Sequence, residues 1–240
     1  ISAFGEKMET FRWGIAPFAA ILAVIVVLLR LEPHNSAIVI IVCTAGAMLF
    51  LGGVKYRWFI LGGLAMLLGL ILILGAGGYE ASRITAWQDP FSDPTDDGYQ
   101  IIQSLYAIGS GGLFGLGLGN GRQKYLYLPE EHNDYIFSIA CEELGLAGAV
   151  GILILYSLLI LRGYWISMHI RDRFLSLTVA GITTLTALQV FFNIGVVTNL
   201  LPSTGISLPF FSYGGTALLI QLGEMGIILG ASRQCSAGFL

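Results

Sequence analysis

Charged residues are missing from five long stretches of this chain: 13–29, 35–54, 58–79, 144–161 and 174–223. Nothing else in the sequence limits its fold as strongly. An α-helix needs about 20 mainly apolar residues to cross the hydrocarbon core of a bilayer. Four of the runs suit one crossing each, and the fifth, at 50 residues, suits two. The runs are rich in Leu, Ile, Val, Ala and Gly on every side, which fits lipid or the centre of a bundle rather than a one-faced surface helix. Charged residues make up 11% of the chain, against about 25% in a soluble domain. The expected architecture is all-α. It is a polytopic transmembrane helix bundle with six spans near 14–31, 36–54, 58–78, 143–162, 174–198 and 214–232. The chain reads as one membrane domain over 1–240, with one long extracytoplasmic loop at 79–141.

The basic residues orient the bundle. With six spans, Lys7, Arg12, Lys55, Arg57, Arg162, Arg171, Arg173 and Arg233 share one side, eight of the twelve Lys and Arg. Eleven of the fifteen acids fall on the other. Basic loops stay cytoplasmic, so both termini are expected inside and the long loop outside. Residues 98–121 also lack charge, but eight of the 24 are Gly. Each costs a helix about 1 kcal/mol relative to Ala. The segment therefore reads as a loop that lies on the bilayer surface or dips into it, which is tolerated where protein buries it. The chain opens on Ile1 rather than Met, as expected of the later part of a longer protein.

Several function classes drop out. GGLFGLGLGNG has neither the dinucleotide pattern nor a Walker loop, and nothing is basic enough to hold nucleic acid. Cys43, Cys141 and Cys235 are scattered without metal-ligand spacing, and read as packing residues. His34 and His169 are isolated, so no metal site is expected from side chains alone.

The chemistry is concentrated in YLPEEHNDYIFSIACEELG. Glu130, Glu131, His132 and Asp134 fall within five residues, just before an apolar segment. Glu142 and Glu143 fit the first turn of span four, where acids suit the helix dipole. Asp134 is different, because Tyr135, Ile136 and Phe137 follow it directly. A carboxylate at the edge of the membrane is costly and often functional, and partly desolvated it could serve as a general base. Arg122 and Lys124, with Arg83, supply most of the positive charge on an acidic face. They suit either interfacial snorkelling or a phosphate clamp. Gln189 and Asn193, four apart on span five, share a face and suit interhelical hydrogen bonds. Glu224 sits within span six, where it could pair with another helix or line a cavity.

Three motifs resemble the SEDS family, which includes FtsW, RodA and SpoVE. They are RITAWQDPFSDPTDDGYQIIQSLYAIGSGGLFGLGLGNG, LPEEHNDYIFSIACEELGLAG and NLLPSTGISLPFFSYGG, in order over most of 83–230. The first is more similar to the FtsW and SpoVE branch than to RodA. The resemblance implies a bundle of about ten spans, of which these are the later six, in a bacterial cytoplasmic membrane. It implies a peptidoglycan glycosyltransferase that polymerises lipid II at the outer face, beside a class B penicillin-binding protein and among membrane lipid. The family's essential aspartate maps onto Asp134. Substrate contacts are then expected from Arg83, Arg122, Lys124, Glu130, His132 and Ser212, and a divalent cation, Mg or Mn, could assist. Two departures stand out. Many relatives carry a carboxylate where this chain has His34, and a Lys where it has Thr204. Two rival functions are a lipid II flippase and a non-catalytic scaffold for the penicillin-binding protein.

Overall fold

The computed structural model describes residues 1–2, 8, 10–32, 35–58, 60, 62, 79–92, 94, 98–123 and 132–236. Among them there is no β-strand. The helices are α1 (Ala16–Leu31, entered through a π turn, Phe11–Ile15), α2 (Asn35–Leu51), α3 (Tyr79–Gln88), α4 (Tyr99–Ser110), α5 (Ile136–His169), α6 (Arg173–Val197) and α7 (Gly215–Ser236). A short 3-10 turn, Pro90–Ser92, lies between α3 and α4. Three of these, α5 to α7, are long and apolar enough to cross a membrane, and α1 and α2 are shorter apolar helices. They match the expected spans one, two and four to six. Most of the expected third span, 58–78, lies outside the described residues.

The chain divides into two compact units. One comprises Ile1–Ile71, Ile160–Leu188 and Leu222–Leu240. Its core joins Ile166, Ile170, Val179, Ile228 and Ala231. Polar side chains on α6 are reconciled with these surroundings locally. The hydroxyls of Thr183, Thr184 and Thr186 each donate to the carbonyl four residues back, at 2.8, 2.7 and 3.0 Å. Gly163 lets α5 approach α6 closely, since a Cβ there would stand 2.4 Å from Thr183 Oγ1. Small residues serve close helix packing in membranes in this way.

The other unit comprises Leu72–Leu159 and Gln189–Gln221. Tyr135, Phe137, Ile152, Tyr156, Val197 and Leu208 are among its buried core residues. The range 79–141, expected as the extracytoplasmic loop, contains helices. Both α3 and α4 fall inside that range, and α5 begins there at Ile136, seven residues before the expected start at 143. The stretch 98–121 is likewise not one loop. Its first half forms α4, which buries Ile101, Ile102, Ser104 and Ala107. Ser104 Oγ donates to Val197 O and shares a second bond with Ser138 Oγ, both at 2.7 Å.

The second half of that stretch is a glycine-rich strap, 111–123, built around a break in α5. Gly145 has φ 67° and ψ −169°, which interrupts the helix. A break strands backbone amides and carbonyls, and these must find other partners when buried. The strap supplies them. Leu116 N and Gly117 N donate to Glu142 O and Glu143 O, each at 3.0 Å. Leu146 N and Ala147 N donate to Gly112 O and Leu113 O, at 2.9 and 3.1 Å. This backbone-to-backbone contact leaves no room for a Cβ. One added at Gly145 would lie 2.3 Å from Gly115 N, and one at Gly115 would lie 2.1 Å from Glu143 O. Leu113, Phe114 and Leu118 point outward, 64%, 84% and 76% exposed. An outward apolar edge of that kind suits contact with lipid.

Gly145→Ala should therefore lower stability by more than about 1 kcal/mol, since it combines a positive φ with a backbone clash. Thermal unfolding in detergent measures this, and Gly151→Ala, which meets nothing within 4 Å, serves as the control.

Candidate active site

Asp134 lies in a turn, His132–Tyr135, immediately before α5. It is half-buried, as its place between polar and apolar sequence suggested. The backbone of this turn is held from outside at three successive carbonyls. Tyr213 N donates to His132 O at 2.8 Å. Ser212 Oγ donates to Asn133 O at 2.7 Å. Asn193 Nδ2 donates to Asp134 O at 2.7 Å. Asn193 comes from α6, and the other two donors come from the segment that leads into α7.

Each donor is itself fixed. Asn193 is 1% exposed, and its amide also donates to Ile206 O at 2.7 Å. One side chain thus ties the Asp134 backbone to the segment after α6. Ser212 Oγ accepts from Leu208 N at 2.7 Å while donating to Asn133 O. Phe210 adopts φ 65°, a left-handed conformation that is strained for a bulky side chain. Its N–H donates to Gln221 Oε1 at 2.8 Å, and Tyr156 OH donates to the neighbouring Pro209 O. Strain of this kind persists only where surroundings over-determine it, and it clusters at functional sites.

Tyr135 stands beside Asp134 and is 2% exposed. Its hydroxyl completes no hydrogen bond of good geometry among the described residues. Burial raises its pKa above the ordinary 10, contact with the Ser203 side chain lowers it, the Asp134 charge raises it, and the Arg83 charge lowers it. Asp134 and Arg83 therefore both act on the same phenol. Arg83 also donates to Ser203 O at 3.2 Å. Nearby, Trp87 and Asn199 exchange bonds, Nε1 to Asn199 O at 3.1 Å and Nδ2 to Trp87 O at 3.3 Å. Together these contacts join α3 to the 199–203 segment.

The structure separates cations that the sequence grouped. Arg83 belongs to the surroundings of Tyr135 and Asp134. Arg122 belongs to the strap, where its backbone N–H donates to Glu142 Oε1 at 2.8 Å. Gln123 N donates to Glu142 Oε2 at 3.2 Å. Lys124 and Glu130 lie outside the described residues. His132 is exposed and serves the turn through its carbonyl. Ser212, expected at the substrate, has its hydroxyl committed to two backbone partners.

Glu142 and Glu143 need correction. They do not sit in the first turn of a helix, because α5 starts at Ile136. Glu142 is 1% exposed and holds the strap through the amides of 122 and 123. Glu143 accepts from Gly119 N at 3.0 Å and Gly121 N at 3.4 Å. Carboxylates that accept backbone amides make the stronger, charge-assisted class of hydrogen bond. Sequence reading missed this role, and the role of Asn193 toward Asp134. The one available signal was the polar pair Gln189 and Asn193 within an apolar run.

A bundle of lipid-length helices that clamps a half-buried carboxylate at a helix entrance defines a membrane protein with a built, polar site. Comparison with known proteins then gives its family. A family model described as a cell cycle protein, for FtsW, RodA and SpoVE, matches residues 1–237. The chain belongs to that family. It is 42% identical over 228 residues to stage V sporulation protein E of Bacillus subtilis, covering 95% of this chain and 62% of that protein. It is 45% identical over 220 residues to a probable peptidoglycan glycosyltransferase FtsW of Legionella pneumophila, covering 90% and 56%. A solved structure described under structural coordination of polymerization and crosslinking by a peptidoglycan synthase complex matches with a TM-score of 0.75 at 28% identity, over 92% of this chain and 62% of that one. Thermus thermophilus RodA matches with a TM-score of 0.58 at 26% identity, over 96% and 61%. The chain spans about 62% of the length of its sporulation relative.

Two outcomes follow from this geometry. Asn193→Leu removes the amide that donates to the carbonyls of Asp134 and Ile206, and losing a donor to a buried group costs about 1–3 kcal/mol. The variant should unfold at clearly lower temperature or denaturant concentration. The raised Tyr135 pKa means that the folded state keeps a proton which the unfolded state loses above pH 10. Stability should be unaffected below pH 10 and fall as pH rises beyond it. Unfolding curves across that range should show a smaller alkaline loss for Tyr135→Phe.

Proposed function

We propose that this chain carries the catalytic carboxylate of a peptidoglycan glycosyltransferase that polymerises lipid II. The observation that carries the reading is the clamping of three successive carbonyls, His132 to Asp134, by Tyr213 N, Ser212 and Asn193. A base works only within hydrogen-bond reach of the proton it removes, and a turn held at three points keeps its side chain there. In this reading the Asp134 carboxylate takes the proton of the acceptor GlcNAc 4-hydroxyl. The freed oxygen attacks the anomeric carbon of the donor MurNAc. The bond from that carbon to pyrophosphate breaks, and undecaprenyl pyrophosphate leaves. The donor linkage is α and the product β, so one inverting displacement suffices.

Charge accumulates on the departing pyrophosphate. In this reading Arg83, whose charge acts on the phenol next to Asp134, offsets that charge, and preorganised donors of this kind are often the largest catalytic contribution. Lys124 and Glu130 keep their expected substrate contacts in this scheme. Ser212 positions the turn. A divalent cation, Mg or Mn, held between one or two carboxylates and the pyrophosphate itself would offset the same charge.

The same reading places the chain in the bacterial cytoplasmic membrane, with both termini cytoplasmic and the Asp134 turn outside, as its basic residues suggest. Lipid II and membrane lipid are its non-protein partners, and a class B penicillin-binding protein is its protein partner. A flippase would rely on Gln189, Asn193 and Glu224 for a polar path. Asn193 is already committed to two backbone carbonyls, which favours the enzyme.

Asp134→Asn should slow polymerisation of purified lipid II by at least about 100-fold, the usual scale for a general base. The assay uses the full-length protein with its partner and separates the glycan products by length. Wild-type polymerisation by the variant would remove the base assignment.

A further inference from the structure

A glycan polymerase must hold sugars beyond the one that reacts, and the unit that carries Asp134 contains a chamber that the Asp134 turn does not line. Between α4 and the glycine strap lies a cavity of about 600 Å³, walled by Tyr106, Ser110, Leu116, Arg122, Gln123 and Glu142 among others. Ligand pockets commonly measure about 300–1,000 Å³.

The wall specifies the ligand class. Tyr106 is 54% exposed, although the opposite face of α4 is buried at Ile101, Ile102, Ser104 and Ala107. It presents an aromatic surface to the chamber. Gln123 Oε1 is buried and has no hydrogen-bond partner among the described residues. Arg122 is exposed and is fixed through its backbone N–H. Ser110 lends its hydroxyl oxygen as an acceptor while donating to Ala107 O at 2.9 Å.

Charge decides between a phosphate and a sugar. A phosphate site needs an excess of positive charge. Here the wall carries one formal positive charge, Arg122, and one formal negative charge, Glu142. The charges in the wall cancel. An aromatic platform with neutral donors and acceptors around it suits a pyranose, which has apolar C–H faces and hydroxyls at its edge.

We propose that this chamber is a saccharide subsite that holds an N-acetylated hexosamine of the glycan. The identity of the sugar rests on the glycosyltransferase reading, whereas the chamber and its wall do not. Glu142 follows Ile136 by six residues, about 9 Å along the helix, so the strap and the Asp134 turn attach to the same short helical segment. A sugar in the chamber and a sugar at Asp134 can belong to one strand. The Gly145 break and the two carboxylates keep the strap in place before any ligand arrives, which reduces the ordering cost of binding.

The test measures binding of a lipid-free tetrasaccharide of alternating GlcNAc and MurNAc to the purified full-length protein in detergent, by titration calorimetry. The parent should bind saturably. Tyr106→Ala should weaken binding about tenfold or more, and Tyr106→Phe, which keeps the ring, should restore it to within about threefold. Inorganic pyrophosphate should not displace the sugar. Absence of binding by the parent, equal binding by Tyr106→Ala, or displacement by pyrophosphate would each overturn the proposal. Asp134→Asn separates the two readings. Retained binding without polymerisation supports both, whereas retained binding with wild-type polymerisation keeps the subsite and removes the base.

Discussion

The Asn193 amide makes one connection on which the rest of the site depends. Its two N–H groups reach Asp134 O and Ile206 O, each at 2.7 Å. Asn193 is buried, so its N–H groups need these acceptors. The amide therefore joins a turn 59 residues away in sequence to α6 and the segment that follows it. The turn at 132–135, the C-terminal end of α6 and the segment after it become one rigid piece. Ser212 and Tyr213 extend the same piece to Asn133 and His132. A carboxylate mounted on such a piece is aimed by backbone geometry rather than by a flexible loop.

A second constraint shapes the other side of the site. The α5 helix is broken at Gly145, and the break exposes backbone groups that the strap must satisfy. The strap needs Gly at 115 because any Cβ would enter the backbone of Glu143. Glu142 and Glu143 then fasten it with charge-assisted bonds to amides between 119 and 123. The fold thus spends two carboxylates and a helix break on holding a short strap near the start of α5. That expense is physically reasonable if the strap forms part of a binding wall.

Much of the fold was legible because membrane helices announce themselves by what they lack. The charge-free runs at 13–29 and 174–223 anticipated α1, α6 and α7 within a few residues. The half-buried position of Asp134 was legible for a related reason, as a carboxylate placed against an apolar run. Helix α4 was not, because its glycines were averaged with those of the strap. Only Gly109 lies within Tyr99–Ser110, while six of the eight glycines fall in 111–121. The supports of Asp134 were hidden as well. Asn193 and Ser212 stand 59 and 79 residues from their acceptors, and no local pattern reports a bond of that separation. The separation of Arg83 from Arg122 was invisible for the same reason.

The central claim is that the Asn193 bridge positions Asp134 for chemistry rather than merely holding the fold together. It is tested most directly by steady-state kinetics of lipid II polymerisation by the Asn193→Leu and Asn193→Gln proteins, under conditions where both are shown to be folded. The account predicts that Asn193→Leu lowers kcat about tenfold or more with KM little changed, the pattern of an interaction needed in the transition state. Partial recovery by Asn193→Gln, which keeps the amide donor, is expected. A folded Asn193→Leu protein with wild-type kcat would contradict it.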